Sequence, residues 1–248
     1  MIHNSEALIL SSRPYSDTSL ICNLFTKESG RLSIISKGAR TFKNPNRAIL
    51  QPLQFVDLHY YYKPKRNIQL LKEASINTHF FNIAKNYKKI TFSYNILELT
   101  NQICKVDNPN EIMFRLIKSV LKKIDTCEIK QINLYYLFFQ LQLSRYLGVQ
   151  PILDNCFLCS QQLHDGIYDK SIGQLVCKKC IEHQSSNVII TKKDLIILKY
   201  LSNTHIDNLL NDDLINKKSL SQISQYLLCY ISFHIININN LKTIKFIT

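Results

Sequence analysis

The chain has 248 residues, of which 46% are hydrophobic, and it carries a formal net charge of +13 at pH 7. This length and composition exclude a disordered tail, a collagen-like fibre and a small disulfide scaffold, because a chain of this size can bury a sizeable core. The 31 Lys and Arg residues outnumber the 18 Asp and Glu residues, which favours a polyanionic partner, nucleic acid first and a membrane surface second.

The N-terminus and the apolar runs give no sign of a membrane protein. Residues 1–6 lack the basic region and the cleavage site of a signal peptide. The most apolar stretch, residues 226–238, has thirteen residues, fewer than the roughly 20 that a transmembrane helix needs. The sequence therefore predicts a cytoplasmic protein with no membrane partner, whose cysteines are ligands or buried thiols rather than disulfides.

The first 80 residues contain five short runs that are typical of β-strands. Turn signals rich in proline, glycine and asparagine separate these runs. Five short strands in so short a segment fit a small closed barrel better than an open sheet, because closure removes exposed strand edges. We therefore predict a five-stranded OB-like (oligonucleotide-binding) β-barrel over residues 1–80. The predicted strands are residues 7–10, 19–25, 31–36, 53–60 and 68–71.

After residue 80 the spacing of the apolar residues becomes helical. The run at 132–147 is apolar on almost all sides, which predicts a central buried helix. Thr191 is predicted to cap the next helix, and a capping box at Ser219 to open the last one. The fold class is therefore α+β, with the barrel over 1–80 and an α-helical domain over 81–248.

Four of the eight cysteines form two CxxC pairs within the helical domain. Their pattern is C-x2-C-x17-C-x2-C, which lies within the spacing typical of zinc sites. Four thiolates complete a tetrahedral shell with no open position, so we predict one structural Zn²⁺ per chain, in a module over about 152–184. The alternatives are two unrelated pairs or a redox-active CxxC. The predicted ligands are Cys156, Cys159, Cys177 and Cys180.

The two residues between the last pair of cysteines, Lys178 and Lys179, are basic. Positive charge beside a thiol lowers its pKa. We therefore expect these lysines to favour the thiolate forms and to offset part of the negative charge of a centre with four cysteine ligands.

Basic residues are concentrated in the predicted barrel. Residues 31–72 contain nine Lys and Arg and a single acid, Asp57, which gives a local charge of +8. Phe42 and the tyrosines at 60–62 lie among them, and aromatic rings can stack on bases. The alternatives are a solvated basic face with tyrosines in the core, or a coding bias toward lysine. The predicted nucleic-acid contacts are Arg31, Lys37, Arg40, Lys43, Arg47, Lys63, Lys65 and Arg66.

The sequence lacks the motifs of several common catalytic sites. It contains no phosphate-binding GxxxxGK[ST] loop, no GxSxG nucleophile turn and no HExxH metal motif. Its carboxylates form no DxD-like metal cluster. We therefore predict a binding protein rather than an enzyme.

Six segments, taken in order, resemble those of the bacterial RecO family of DNA repair proteins. The resemblance covers most of the chain, and it is the ordered set that makes it specific. One departure is that residues 41–47 carry less positive charge than many family members have after the segment at 37–40. The segments that carry the resemblance are residues 13–19, 25–26, 30–32, 37–40, 50–52 and 147–151.

The resemblance implies an N-terminal OB domain, a helical C-terminal domain and a zinc module. It also implies a bacterial, nucleoid-associated recombination mediator of the RecF pathway. Such a protein binds single- and double-stranded DNA, anneals complementary strands and, with RecR, helps to load RecA onto DNA coated by single-strand binding protein (SSB). The C-terminal tail of SSB is expected to bind the helical domain. The residues alone leave open an RNA-binding OB-fold protein, a zinc-ribbon interaction factor and an enzyme whose site is not recognised.

Overall fold

The computed structural model describes residues 1–181, 188–209 and 216–247, which fall into two compact units. The first unit comprises residues 1–125 together with 241–243, and the second comprises residues 126–240 together with 244–248. The division predicted at residue 80 coincides with the end of the barrel strands, and the first unit continues through the next two helices.

The first unit contains a closed five-stranded β-barrel. Its strands are β1 Ile2–Tyr15, β2 Ser19–Thr26, β3 Gly30–Ser36, β4 Phe55–Tyr61 and β5 Ile68–Thr78. Their order is β1-β2-β3-β5-β4, and β4 pairs back to β1. The pairs are antiparallel except for β3 and β5, which are parallel. This topology confirms the predicted five-stranded OB-like barrel.

Strands β1 and β5 are longer than predicted, because backbone pairing extends them beyond their apolar residues. Residues 2–8 of β1 pair with β4, whereas residues 7–15 pair with β2. A bulge between Ile9 and Ser11 lies close to this change of partner. Most residues of β5 after Leu71 are exposed, so they carry no alternating apolar signal.

Alternate residues of the strands fill the barrel interior, as the two-residue period of a strand requires. Burial of each such side chain stabilises the fold by about 1.5–3 kcal/mol. Ala39 and Leu50, from the connection between β3 and β4, also lie in this buried cluster. Its strand residues include Ile9, Leu24, Ile34, Leu58 and Tyr60, each at most 1% exposed.

Three helices complete the first unit: α1 Asn46–Ile49, α2 Tyr87–Ile103 and α3 Glu111–Thr126. Helix α3 lies on the outer wall of the barrel. The ring centroid of Phe114 is 5.8 Å from that of Phe25 and 5.6 Å from that of Phe55. Lys118 of the same helix forms an ion pair with Glu6 of β1.

In its described residues, the second unit combines three α-helices with a small antiparallel sheet. The helices are α4 Ile132–Tyr146, α5 Lys192–Asn203 and α6 Lys217–His234, and the strands are β6 Gly166–Asp169, β7 Gln174–Val176 and β8 Val188–Ile190. The sheet order is β7-β6-β8. Twelve of the fifteen residues of α4 are buried, which confirms the predicted central helix. Within the described ranges, none of the helices is long and apolar enough to cross a membrane.

The two predicted helix caps had different outcomes. Thr191 caps α5 as predicted, because its hydroxyl oxygen accepts from the backbone N–H of Asp194 and the Asp194 carboxylate accepts from the N–H of Thr191. The box predicted at Ser219 was wrong. Helix α6 begins at Lys217, and Asn216 caps it by accepting from the N–H of Ser219 at 2.7 Å. Asparagine is as good a capping residue as serine, and Asn216 precedes Ser219 in the chain.

Gly30 is the residue on which we test the packing of the first unit. Its φ is +70°, and a Cβ there would lie 2.4 Å from the carbonyl oxygen of Asn108. We expect Gly30→Ala to lower the free energy of unfolding by about 2–4 kcal/mol, because left-handed strain adds to a backbone clash. Urea unfolding of the variant measures this loss.

Gly38→Ala is the matched control for that substitution. Gly38 has a φ of +67°, but the nearest atom to a Cβ there is 3.8 Å away. The free energy of unfolding of this variant should fall by only roughly 1–2 kcal/mol, the cost of the left-handed conformation alone. Equal losses in the two variants would contradict the close approach of Asn108 to the turn between β2 and β3.

Candidate metal centre and nucleic-acid interface

The four predicted cysteine ligands lie together in the second unit. Their Sγ atoms are all within 4.8 Å of one another, and the Sγ atoms of Cys159 and Cys177 are 3.8 Å apart. Thiolates bound at about 2.3 Å to a tetrahedral zinc ion are separated by about 3.8 Å. A disulfide needs about 2.05 Å, and all four cysteines are free. The residues present therefore fit a metal ion with four sulfur ligands.

Backbone hydrogen bonds shape the turn that carries the first two cysteines. The N–H of Cys156 donates to the carbonyl of Gln161 at 2.8 Å, and the N–H of Ser160 donates back to the carbonyl of Cys156 at 2.9 Å. Ser160 adopts a left-handed conformation, with φ of +58°, which reverses the chain after Cys159. The turn thereby directs both thiols to one side.

The sheet brings the second pair of cysteines to the first. Cys177 follows directly after β7, and the N–H of Phe157 donates to the carbonyl of Leu175 in that strand at 3.1 Å. The N–H of Cys180 closes the second turn on the carbonyl of Cys177 at 3.0 Å. The predicted module extends to about 184, and its residues after 181 lie outside the described residues.

Backbone N–H groups lower the pKa of the most buried thiol of the cluster. Burial raises the pKa of Cys156, but backbone N–H groups, those of Cys159 and Cys177 first among them, outweigh it and lower the pKa from 9.0 to about 6. The ammonium group of Lys178 forms an ion pair with Asp165 at 2.7 Å, and the effect of Lys178 and Lys179 on the thiols stays a prediction.

The thiol of Cys180 differs from that of Cys156. Hydrogen bonds to the sulfur atoms of Cys177 and Cys159 raise the pKa of Cys180 to about 12, since its proton is shared with them. A metal ion that binds all four sulfurs must displace such a proton, so its affinity falls as the pH falls. The cluster has the donors for a closed, structural metal centre.

Seven of the eight predicted nucleic-acid contacts lie on two exposed loops of the barrel. The first loop, residues 37–54, joins β3 to β4 and contains no acidic residue. The second loop, residues 62–67, joins β4 to β5 and also lacks acidic residues. The exposed bases are Lys37, Arg40, Lys43 and Arg47 on the first loop, and Lys63, Lys65 and Arg66 on the second.

The 37–54 loop is fixed to the barrel near both of its ends. Ala39 and Leu50 are fully buried in the barrel core, so the residues between them are held out as an exposed arch. The N–H of Arg40 donates to the carbonyl of Thr18 in the β1–β2 turn at 2.8 Å, and its guanidinium donates to the carbonyl of Ser16 at 3.1 Å. The arch is therefore held in place before a ligand arrives.

A single buried amide shapes the 62–67 loop. The side chain of Gln69, which is 5% exposed, accepts from the N–H of Lys63 at 2.9 Å. Its amide nitrogen donates to the carbonyls of Lys63 at 3.1 Å and Arg66 at 2.7 Å. Sequence reasoning missed this residue, because a glutamine at the start of a strand gives no signal of its burial. Gln69 thus fixes the backbone of the loop that carries the basic residues Lys63, Lys65 and Arg66.

Arg31 and the tyrosines differ from the loop residues. The guanidinium of Arg31 donates to the backbone carbonyl of Asn101 at the end of α2, so it holds a helix against β3. Tyr60 is 1% exposed in the barrel core, and Tyr62 stacks on His3 with ring centroids 4.7 Å apart. Of the interleaved aromatic residues, Phe42 and Tyr61 are exposed.

A strip of polar side chains crosses the outer wall of β1, β2 and β3. The amide of Asn23 donates to the hydroxyl of Ser11 at 3.1 Å and accepts from the hydroxyl of Ser33 at 2.8 Å. The 37–54 loop leaves from the end of β3. Asn67 of the 62–67 loop borders a polar pocket of about 200 Å³ with Arg31 and Ser33, beside the first half of β3. The two basic loops therefore flank β3.

Comparison with known families accounts for this combination of barrel, helices and cysteine cluster. The family model described as "Recombination protein O N terminal" matches residues 1–80, and "Recombination protein O C terminal" matches residues 84–242. The chain belongs to the RecO family. The resemblance inferred from the sequence is thereby confirmed, and the chain is a member of a DNA repair family.

Several relatives carry the name "DNA repair protein RecO". The RecO of Salinibacter ruber is 35% identical over 153 residues, which cover 62% of this chain and 58% of that relative. The RecO of Thermodesulfovibrio yellowstonii is 29% identical over 232 residues, covering 92% of this chain and 91% of the relative. The RecO of Alkaliphilus metalliredigens is 24% identical over 248 residues, covering 99% of each. The likeness to RecO proteins thus extends through both matched regions.

The cysteine cluster predicts the behaviour of a Cys159→Ser variant. We expect its metal content, after growth in zinc-supplemented medium and dialysis against a chelator, to fall from one equivalent to near zero. Because metal binding and folding are linked, its unfolding temperature should fall by about 4–8 °C, the equivalent of about 2 kcal/mol. Metal analysis and thermal unfolding measure the two quantities.

Cys229→Ser, which changes a thiol of α6 outside the cluster, is the control. It should keep one equivalent of metal. Wild-type protein with well under one equivalent would contradict the metal centre, as would equal metal loss in both variants.

Proposed function

We propose that this RecO-family chain is a non-enzymatic, DNA-binding recombination mediator. It anneals complementary single strands and, with RecR, helps to load RecA onto SSB-coated DNA. The observation that carries the proposal is the pair of acid-free loops with seven exposed bases on an OB-like barrel. Membership of a DNA repair family supports DNA as the polyanion.

The positions of the loops support a phosphate track along β3. We expect a DNA strand that contacts both loops to pass close to Ser33, which belongs to a polar strip with Ser11 and Asn23 whose side chains bind one another. This strip offers no charge to a base, so the loops supply the affinity through phosphate contacts, which carry no sequence information directly.

This mode of binding suits annealing. Two DNA strands repel each other through their phosphates, and neutralisation by Lys and Arg reduces that repulsion and releases counterions. Contacts to the backbone leave base edges free to find their complements. Annealing of this kind requires no nucleotide hydrolysis, in keeping with the missing phosphate-binding loop.

We propose that the metal is one Zn²⁺ ion with a structural role. Cys156, Cys159, Cys177 and Cys180 hold it, and their mutual spacing suits tetrahedral sulfur coordination. When bound, zinc crosslinks the two CxxC turns. The chain's own hydrogen bonds lower the pKa of Cys156 and direct the first pair of thiols to one side.

The proposed partners beyond DNA are RecR and the C-terminal tail of SSB, in the bacterial cytoplasm. The family membership supports them. The tail is acidic and apolar, and recognition of such a peptide uses basic residues together with an apolar groove between helices. The helical region is the proposed binding region for it.

Annealing of complementary oligonucleotides by the purified protein tests the function. We expect the protein to accelerate annealing of naked strands without ATP, and of SSB-coated strands only when SSB keeps its tail. Competition with RNA of the same sequence distinguishes an RNA-binding protein. No acceleration with naked strands would refute the proposed activity, and equal acceleration with tail-less SSB would refute the tail as partner.

The arch of the 37–54 loop predicts the effect of removing its four bases. Replacement of Lys37, Arg40, Lys43 and Arg47 by alanine should weaken single-strand binding roughly tenfold or more. It should also reduce the slope of log K against log salt by up to about 3, since each phosphate contact contributes about 0.7. Titrations at several salt concentrations measure both changes.

The control removes the same charge from the first turns of α5 and α6, by replacing Lys192, Lys193, Lys217 and Lys218 with alanine. These lysines are exposed. Cations are unfavourable at a helix N-terminus, so their loss should not unfold the helices. Equal loss of affinity in the two variants would mean that diffuse charge, not the loop, binds DNA.

A further inference from the structure

Phe42 is a large apolar side chain held out into solvent at the centre of the 37–54 loop. It is 96% exposed, more than any other Phe or Tyr of the described residues. Single exposed apolar residues are common on proteins and need no explanation by themselves. The backbone and the charges around Phe42 distinguish it from such residues.

The backbone on both sides of Phe42 is held by hydrogen-bonded turns. The N–H of Thr41 donates to the carbonyl of Gly38 at 3.1 Å, and its hydroxyl donates to the same carbonyl at 2.8 Å. After Phe42, the N–H of Asn44 donates to the carbonyl of Thr41 at 3.2 Å, and the Asn44 side chain accepts from the N–H of Asn46 at 2.9 Å. These turns keep the ring from folding back onto the barrel.

A cationic groove adjoins the ring. Phe42, Pro45 and Ala48 provide its apolar lining, and Lys43 and Arg47 provide its charge, in a shallow space of about 480 Å³. Both cations are exposed, and no acid lies between residues 37 and 54. The nearest acid on the adjacent β1–β2 turn is Asp17. An aromatic platform beside two cations suits a nucleobase and its neighbouring phosphates.

We propose that Phe42 stacks on an unpaired nucleobase and makes this loop selective for single-stranded DNA. Lys43 and Arg47 take the phosphates on either side of that base. In a duplex each base is already stacked and paired, so it cannot lie on the ring without being extruded. This inference rests on the proposed DNA binding and adds to it a preference for single strands, by a contact that involves no charge.

The first test compares Phe42→Ala with the wild-type chain, using a single-stranded (dT) oligonucleotide and a blunt duplex. The variant should bind the single strand about 5- to 150-fold more weakly, the equivalent of the roughly 1–3 kcal/mol of one stacked base. Its duplex affinity and the salt dependence of both affinities should stay unchanged, because no charge is lost.

Phe81→Ala is the matched control, since Phe81 is also an exposed phenylalanine of the first unit, at 65%. Its ring packs on His79 with centroids 4.3 Å apart and lies outside the basic loops. It should leave both affinities unchanged. Single-strand affinity that is equal in Phe42→Ala and wild type would overturn the inference, as would equal losses for single strand and duplex.

A second test uses the absence of tryptophan from the chain. Phe42→Trp gives a single fluorophore on the loop, and its emission should be quenched by the single strand and not by the duplex. Phe81→Trp should respond to neither. Quenching of Phe81→Trp alone would overturn the proposed position of the base. Absence of all DNA binding by the wild type would instead refute the proposed function itself.

Discussion

The barrel closes through a short parallel ladder in which residues 33–35 of β3 pair with residues 68–70 of β5. Both basic loops depend on this contact. The 37–54 loop begins one residue after β3 ends, and the 62–67 loop finishes immediately before β5 begins. Gln69 lies within the ladder, opposite Ile34, so the same residue closes the barrel with its backbone and shapes a basic loop with its side chain. The position of the charges therefore follows from the closure of the sheet.

The second unit meets a different physical requirement. Strands β6, β7 and β8 contain only three or four residues each. So small a sheet buries little apolar area by itself, and isolated short hairpins are marginally stable. The cysteine cluster lies where β7 ends and draws two turns together. The proposed metal crosslink there would supply stability that a larger core would otherwise provide.

Much of this architecture could be predicted from the sequence, and the exceptions have physical causes. The alternation of apolar and polar residues predicts the barrel strands, because every second side chain of a strand points into the barrel interior. The CxxC spacing predicts the cysteine cluster because a turn with two residues between its cysteines directs both thiols to one side. The β6–β8 sheet is too short for a periodic pattern, and the full length of β1 depends on pairing with two different neighbours.

The candidate DNA site was predictable in charge but not in detail. The sequence cannot reveal that Arg31 binds the carbonyl of Asn101 while the Lys and Arg residues of the two loops remain exposed. It also cannot reveal that Gln69 holds the 62–67 loop, since a buried glutamine has no sequence pattern of its own. Such roles are set by tertiary contacts between residues far apart in the chain.

The second half of β3 sets the distance between the basic loops. The 62–67 loop ends beside Ser33, because Ile68 pairs with Ser33, and the 37–54 loop begins four residues later, roughly 13 Å away at about 3.3 Å per residue. A strand with the spacing of duplex DNA advances about 3.4 Å per nucleotide, so about four nucleotides are needed to reach from one basic loop to the other. An oligonucleotide shorter than this footprint can occupy one loop at a time, and affinity should rise in a step, not gradually, once the strand is long enough to occupy both.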